Sequence, residues 1–177
     1  MMYEQFKIRA EGVGSEVYRF KTKTGALDFI IPFLQKEGVA DAPHAYALWA
    51  EGPFLSGIDK TPLQSAVPGL KFEVTRQLAA DCLAGVSEVG YALKDTGSLV
   101  SDQTAVEQRL VSTLAVIHIA LIGTDRILNG KTDVFKIINP GNSKYISFIT
   151  GPSRTGDIER ILVLGAHGPR KLTIFCV

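Results

Sequence analysis

The sequence predicts an α/β fold, a mainly parallel β-sheet with helices on both faces. Three observations lead there. Strand-like runs alternate with helix-length runs, the order of a sheet fed by crossover helices. Several strand-like runs are continuously apolar instead of alternating, as strands covered on both sides are. The breaks fall on Gly and Pro, and no repeat, low-complexity stretch or linker divides the 177 residues, so one domain over residues 1–177 is expected.

The first strand is predicted at Glu16–Phe20, where Val17, Tyr18 and Phe20 mix with charged residues. The helix that follows starts near Gly25, carries Leu27, Ile30, Ile31 and Leu34 at helical spacing, and stops at Gly38; Pro32 inside it is expected to kink it or shift its start. Ala45–Ala50 reads as a second strand ended by Gly52–Pro53, and Phe54–Leu70, with two prolines and two glycines, as loop with a helical turn. Lys71–Thr75 is a strand candidate and Thr75–Leu83 a short helix. Gly90–Val100 reads as two short strands bent at Thr96–Gly97. Ala115–Ile122 is predicted as a fully buried strand, Asp125–Ile138 as a helix, and Tyr145–Thr150 as another buried strand. A last helix with Ile158, Ile161 and Leu162 as its stripe is expected to end at Gly165, before a final strand over Lys171–Val177.

A formal net charge of +1 and the absence of any Lys/Arg run give no electrostatic footprint for nucleic acid or an anionic membrane surface. The longest apolar run, Ala115–Ile122, is too short to span a bilayer, and the N-terminus has no signal-peptide pattern. Two cysteines, Cys82 and Cys176, stand far apart with no CxxC spacing, so neither a disulfide framework nor a metal or iron–sulfur site is expected in the chain; a reducing cytoplasm suits both. There is no GK[ST] phosphate loop, and Gly12-Val-Gly14 lacks the third glycine and the preceding strand of a dinucleotide fingerprint.

The stretch GPSRTGDIERILVLGAHGPRK, residues 151–171, then becomes a strand–loop–helix–strand unit. Ligands of open α/β sheets bind in the loop after a strand's carboxyl end, and a helix N-terminus there offers free N–H groups to an anion. Gly151, Ser153, Arg154, Thr155 and Asp157 sit at that place, Ser153 and Thr155 with hydroxyls and Arg154 with a guanidinium that can grip a carboxylate or phosphate. The bland alternative is a helix cap by Ser or Thr with acids favouring the dipole.

The same stretch closely resembles the signature GPSRTADIE…GVHGP of the lactate utilization (LUD) domain family, in proteins of the LutC/YkgG type. Gly151 to Thr155, Asp157, Ile158, Glu159, Gly165 and His167 to Pro169 match it. AGVSEVGYALKDTGSLV resembles the family's GVTxAxxAIAETGTLV, and QRLVSTLAVIHIALI its GRxxSLLPxxHIxVV. Asp95, Gln108 and Ala115 depart from these patterns, where the family has Glu, Gly and Pro.

The resemblance implies a NagB/RpiA/CoA-transferase-like fold and a role in oxidising L-lactate to pyruvate. It also implies partner subunits that carry the iron–sulfur clusters, so that no cofactor is expected in this chain and the chain is not a complete enzyme alone. On that reading it is a cytoplasmic accessory subunit binding a small carboxylate or phosphate ligand, with Thr96, Gly97, Ser98 and Arg109 joining the stretch at 151–157. Two alternatives stay open: a stand-alone CoA-transferase-like or isomerase-like enzyme with Asp95 as nucleophile or base, and a structural assembly subunit with a vestigial pocket. Asp95-Thr96-Gly97-Ser98 reads first as a turn closed by side-chain hydrogen bonds, His118 as a buried and satisfied histidine, and Arg109 either as a second cation of the anion site or as a surface ion pair with Glu107. His167 is expected at the far end of the last helix from Ser153.

Overall fold

The computed structural model describes residues 1–156 and 160–177. Its centre is a six-stranded, all-parallel sheet made of β1 (Glu16–Arg19), β2 (Tyr46–Trp49), β3 (Leu70–Lys71), β4 (Cys82–Glu88), β7 (Ile117–Ile122) and β12 (Lys171–Cys176), in the order β1-β12-β7-β4-β2-β3. A second, four-stranded sheet joins β5 (Tyr91–Leu93), β6 (Ser98–Asp102), β8 (Ile127–Leu128) and β9 (Ile146–Ile149) in the order β8-β5-β6-β9. A two-stranded ribbon of β10 (Arg154–Thr155) and β11 (Val163–Leu164) pairs with neither. The helices are α1 (Met2–Gly12), α2 (Lys23–Lys36), α3 (Thr61–Ala66), α4 (Arg76–Ala80), α5 (Val106–Thr113) and α6 (Lys131–Ile137).

The large sheet is covered on both faces, which is why Ile117–Ile122 is apolar throughout but for His118. One face sends Ala47, Trp49, Ala84, Val86, Ile119, Leu121 and Phe175 against Ala26, Ile30, Phe33 and Leu34 of α2 and Leu63 of α3. The opposite face is shared. At the β2–β4 end, Leu48 and Cys82 pack on Ala79 of α4 and Val111 of α5. At the β7–β12–β1 end, Ala120, Ile122, Leu172 and Ile174 meet Phe6 and Ala10 of α1 and Ala92, Leu99 and Ile127 of the second sheet. The far side of that sheet closes on Val134 of α6.

Local chemistry accounts for the boundaries. Thr22 caps α2, its Oγ1 accepting from Gly25 N at 3.1 Å, and the helix runs on through Pro32 to Lys36. It ends as the sequence predicts, with Gly38 at φ +90° and Val39 N donating back to Leu34 O. At Gly85, a Cβ would overlap the carbonyl of Val111, so glycine is what lets α5 lie directly on β4.

Three predicted elements are corrected. The helix expected over Asp125–Ile138 is confined to Lys131–Ile137, preceded by a 3-10 turn at Thr124–Arg126 and by β8; Gly130 stands between them in extended backbone. The strand near Tyr145–Thr150 exists as β9, but it is half-buried and pairs antiparallel with β6 at the edge of the small sheet. The helix expected after Thr155 is absent among the described residues: Arg154 and Thr155 pair with Leu164 and Val163, and Ile161 and Leu162 of its predicted stripe lie exposed. Ile158 and Glu159 lie outside the described residues.

Candidate functional site

All six strands of the large sheet point the same way, so their carboxyl ends share one edge, the place where open parallel sheets take ligands. A cleft of about 510 Å³ opens there, within the range of small-molecule sites. Its floor is three strand ends: Glu51–Pro53 after β2, Glu88–Gly90 at the end of β4, and Gly123, Asp125 and Arg126 after β7. The second sheet contributes Tyr91, Ser101 and Asp102, and α5 contributes Gln108.

Glycines hold the cleft open. A Cβ on Gly52 would stand 3.0 Å from Glu88 Oε2 and 3.9 Å from Gln108 Nε2, so these two side chains converge over Gly52. The Glu88 carboxylate is anchored at one oxygen, Oε2, which accepts from Phe54 N at 2.6 Å. Gln108 Nε2 donates to Glu51 O at 2.6 Å and ties α5 to the segment after β2. Glu51 pairs with Lys60, and Asp125 stands 3.8 Å from Arg126. Asp102 has its carboxyl held below the usual range, first by the Ser143 hydroxyl, which fastens the loop after α6 to the end of β6, and then by Thr104 two residues on. Among the described residues, four carboxylates therefore line the cleft against the one guanidinium of Arg126. Such a lining can accept hydroxyl or amine donors at Glu88 and offers a cation to one anionic group at Arg126.

The residues predicted for an anion site go elsewhere, and no helix N-terminus backs them among the described residues. The Arg154 guanidinium donates to the carbonyl of Val13, just past the end of α1, and its strand pairing with β11 takes the place of the expected helical turn. Ser153 is bound through its backbone, N–H to Pro169 O at 2.8 Å and carbonyl from Gly165 N at 2.9 Å. Gly151, at φ +71°, lies so close to Val13 that a Cβ would meet its carbonyl. Thr155 is in β10, and Asp157 lies outside the described residues.

The Asp95–Ser98 turn does come near this stretch. Ser98 Oγ meets Thr96 Oγ1 at 2.8 Å and Thr150 Oγ1 at 2.7 Å, and Gly97, at φ +72°, presses on the backbone of Arg9 and Ala10 in α1. Both motifs thus converge on the C-terminal end of α1 and on Val13 just beyond it. Asp95 is exposed at the turn between β5 and β6, beside Gly130, and is not part of the cleft. Arg109 lies outside the cleft: its Nη1 donates to Gln103 O at 2.7 Å, and the guanidinium lies 5.2 Å from the centre of the Tyr145 ring.

His118 is buried in β7 with Nε2 at 2.8 Å from Ser87 Oγ of β4, and burial pulls its pKa down to about 4. It is a core histidine, but not the fully satisfied one expected, since its Nδ1 is buried with no hydrogen-bond partner among the described residues. His167 is exposed in the loop after β11. Among the described residues no group of His, Cys, Asp and Glu is placed to hold a metal ion, and no helix is long and apolar enough to cross a membrane.

Reading the motifs missed Glu51, Glu88, Gln108, Asp125 and Arg126. A signal for them existed: after each of three buried strands an acid stands within two residues of a glycine, as Glu51-Gly52, Glu88-Val-Gly90 and Gly123-Thr-Asp125.

Comparison with known proteins follows the same lines. A family model described as the LUD domain matches residues 3–177. The chain is 34% identical over 94 residues to a protein named Lactate utilization protein C from Anoxybacillus flavithermus, covering 52% of this chain and 43% of that one. It is 32% identical over 113 residues to the protein of the same name from Bacillus subtilis, covering 60% and 47%. An uncharacterized protein, NMB1437, from Neisseria meningitidis is 32% identical over 97 residues, covering 53% and 42%. The aligned stretch thus spans less than half the length of these relatives. A solved structure of a DUF162 family protein from Deinococcus radiodurans superposes with a TM-score of 0.65 over 99% of this chain and 96% of that one; at 15% identity it supports the fold alone.

Proposed function

The chain belongs to the LUD domain family, and from that membership we propose that it serves lactate utilization as an accessory component that binds a small ligand in the cleft at the carboxyl edge of its parallel sheet. The observation that carries the reading is the identity of about one third to proteins named Lactate utilization protein C. The cleft adds a place for the ligand. A 2-hydroxy carboxylate offers a hydroxyl donor to Glu88 and a single anionic group to Arg126, the combination that this wall of carboxylates with one guanidinium accommodates. Electron transfer is assigned to iron–sulfur partner subunits, and this chain to holding the ligand.

The second reading, a stand-alone enzyme with Asp95 as nucleophile, finds no support in the geometry, because Asp95 sits on an exposed turn away from the cleft. Deleting the gene and growing the cells on L-lactate as sole carbon source tests the proposal. Growth is expected to fail and to return with the parent chain or with Asp95→Asn, but not with Glu88→Gln or Arg126→Ala provided as folded protein. Normal growth of a deletion strain that has no second copy overturns the lactate role; full rescue by both cleft variants overturns the cleft.

A further inference from the structure

Among the described residues the stretch from 151 to 171 takes no part in the cleft, and its surroundings show an unusual surface. Ile161 and Leu162, just before β11, and Leu164 within it are 61%, 66% and 47% exposed. The loop between α5 and β7 exposes Leu114 and Val116 at 46% and 41%. It is joined to the loop that follows Leu164, since Arg170 N donates to Val116 O at 2.8 Å, and together they form a groove of about 460 Å³ lined by residues 113–116, 165–168 and Arg170. A two-stranded ribbon is marginal in water on its own, and large apolar side chains clustered on one surface mark a site of contact with another molecule. Among the described residues, Arg170 and the imidazole of His167 line the groove and no acid does, in contrast to the acidic cleft at the opposite edge of the sheet.

We propose that this groove and the neighbouring ribbon seat an apolar segment of a partner protein that carries acidic residues, its side chains covering Leu114, Val116 and Leu164 and its carboxylates facing Arg170 and His167. Complementary charge fixes the register of such a segment, and the buried apolar side chains supply its affinity. The inference rests on the reading of the chain as one component among several, but it is tested apart from lactate.

Photo-cross-linking decides it. Benzoyl-phenylalanine is placed at Leu164 and, as a control, at Ile8, which is 67% exposed on α1. The chain is expressed in its own cells, irradiated, and the adducts are sequenced by mass spectrometry. The expected result is one segment of one other protein, apolar with Asp or Glu, joined at position 164 and not at position 8. That adduct is expected to fall at least tenfold with Arg170→Glu and with Leu114→Asp, while the thermal unfolding of both variants stays near that of the parent. A cross-link to a second copy of this chain, a segment without acids, an adduct indifferent to Arg170→Glu, or no adduct above the control each overturns the proposal. Should Arg170→Glu unfold, His167→Glu takes its place.

Discussion

Arg154 closes the end of α1 by donating to the carbonyl of Val13, a residue 141 positions away in sequence. The last carbonyls of a helix have no partner within it, and a cation there also meets the negative end of the helix dipole. Gly14, at φ +92°, turns the chain away, and Ser15 N returns to Ala10 O at 3.0 Å, so Arg154 completes a cap that the backbone begins. Arg154→Ala is therefore expected to cost about 1 kcal/mol, the scale of an exposed hydrogen bond at a helix end. Hydrogen exchange is expected to speed up in α1 and in the ribbon together. Unchanged protection of α1 would show that the contact does not hold it.

Gly97 bears on the same helix. It needs a positive φ, and a Cβ there would overlap the backbone of Arg9 and Ala10. Gly97→Ala combines backbone strain with overpacking and is expected to destabilise by about 2–4 kcal/mol. Gly12→Ala, where a Cβ would meet nothing within 4 Å, is the control and is expected to be neutral or slightly stabilising. Urea unfolding of both variants measures the difference.

How legible the fold was depended on where the apolar side chains fall. Ile117–Ile122 and α2 announced themselves, one by a continuous apolar run and the other by a stripe buried at Ala26, Ile30, Phe33 and Leu34. The first helix gave no such signal, since only Phe6 and Ala10 are buried in it. The strand Cys82–Glu88 was hidden by Gly85 and Ser87, whose reasons lie elsewhere in the chain, in the carbonyl of Val111 and in His118. The ribbon was mistaken for a helix because Ile158, Ile161 and Leu162 mimic helical spacing, while what decides the matter is the pairing of Thr155 with Val163. The cleft was legible only as acids beside glycines after strands. The family motifs drew attention instead to residues that pack on α1.

Both cysteines are core residues. Burial pushes the Cys82 thiol up to about 11 and that of Cys176 to about 12, which leaves almost no thiolate at neutral pH. Iodoacetamide is expected to leave the native chain unmodified and to label both cysteines in urea. Intact-mass measurement checks this, and rapid labelling of either thiol in the native chain would contradict its placement.

The buried His118 gives the fold an acid sensitivity with a defined window. Its ordinary pKa of 6.5 falls to about 4 on folding because burial penalises the imidazolium. Between those values the unfolded chain binds a proton that the folded chain does not, so stability rises with pH there. The contribution is fully present above pH 6.5, is lost progressively as pH falls, and reaches its full loss near pH 4. At 1.36 kcal/mol per unit, the whole loss is about 3 kcal/mol. Urea unfolding from pH 7.5 to pH 4.5 is expected to show stability falling below pH 6.5, with a slope approaching 1.4 kcal/mol per unit from this residue. In His118→Gln, whose amide can still meet Ser87 Oγ, the absolute stability shifts but this part of the slope disappears. A variant with the parent's pH dependence would mean that His118 does not titrate as its burial requires.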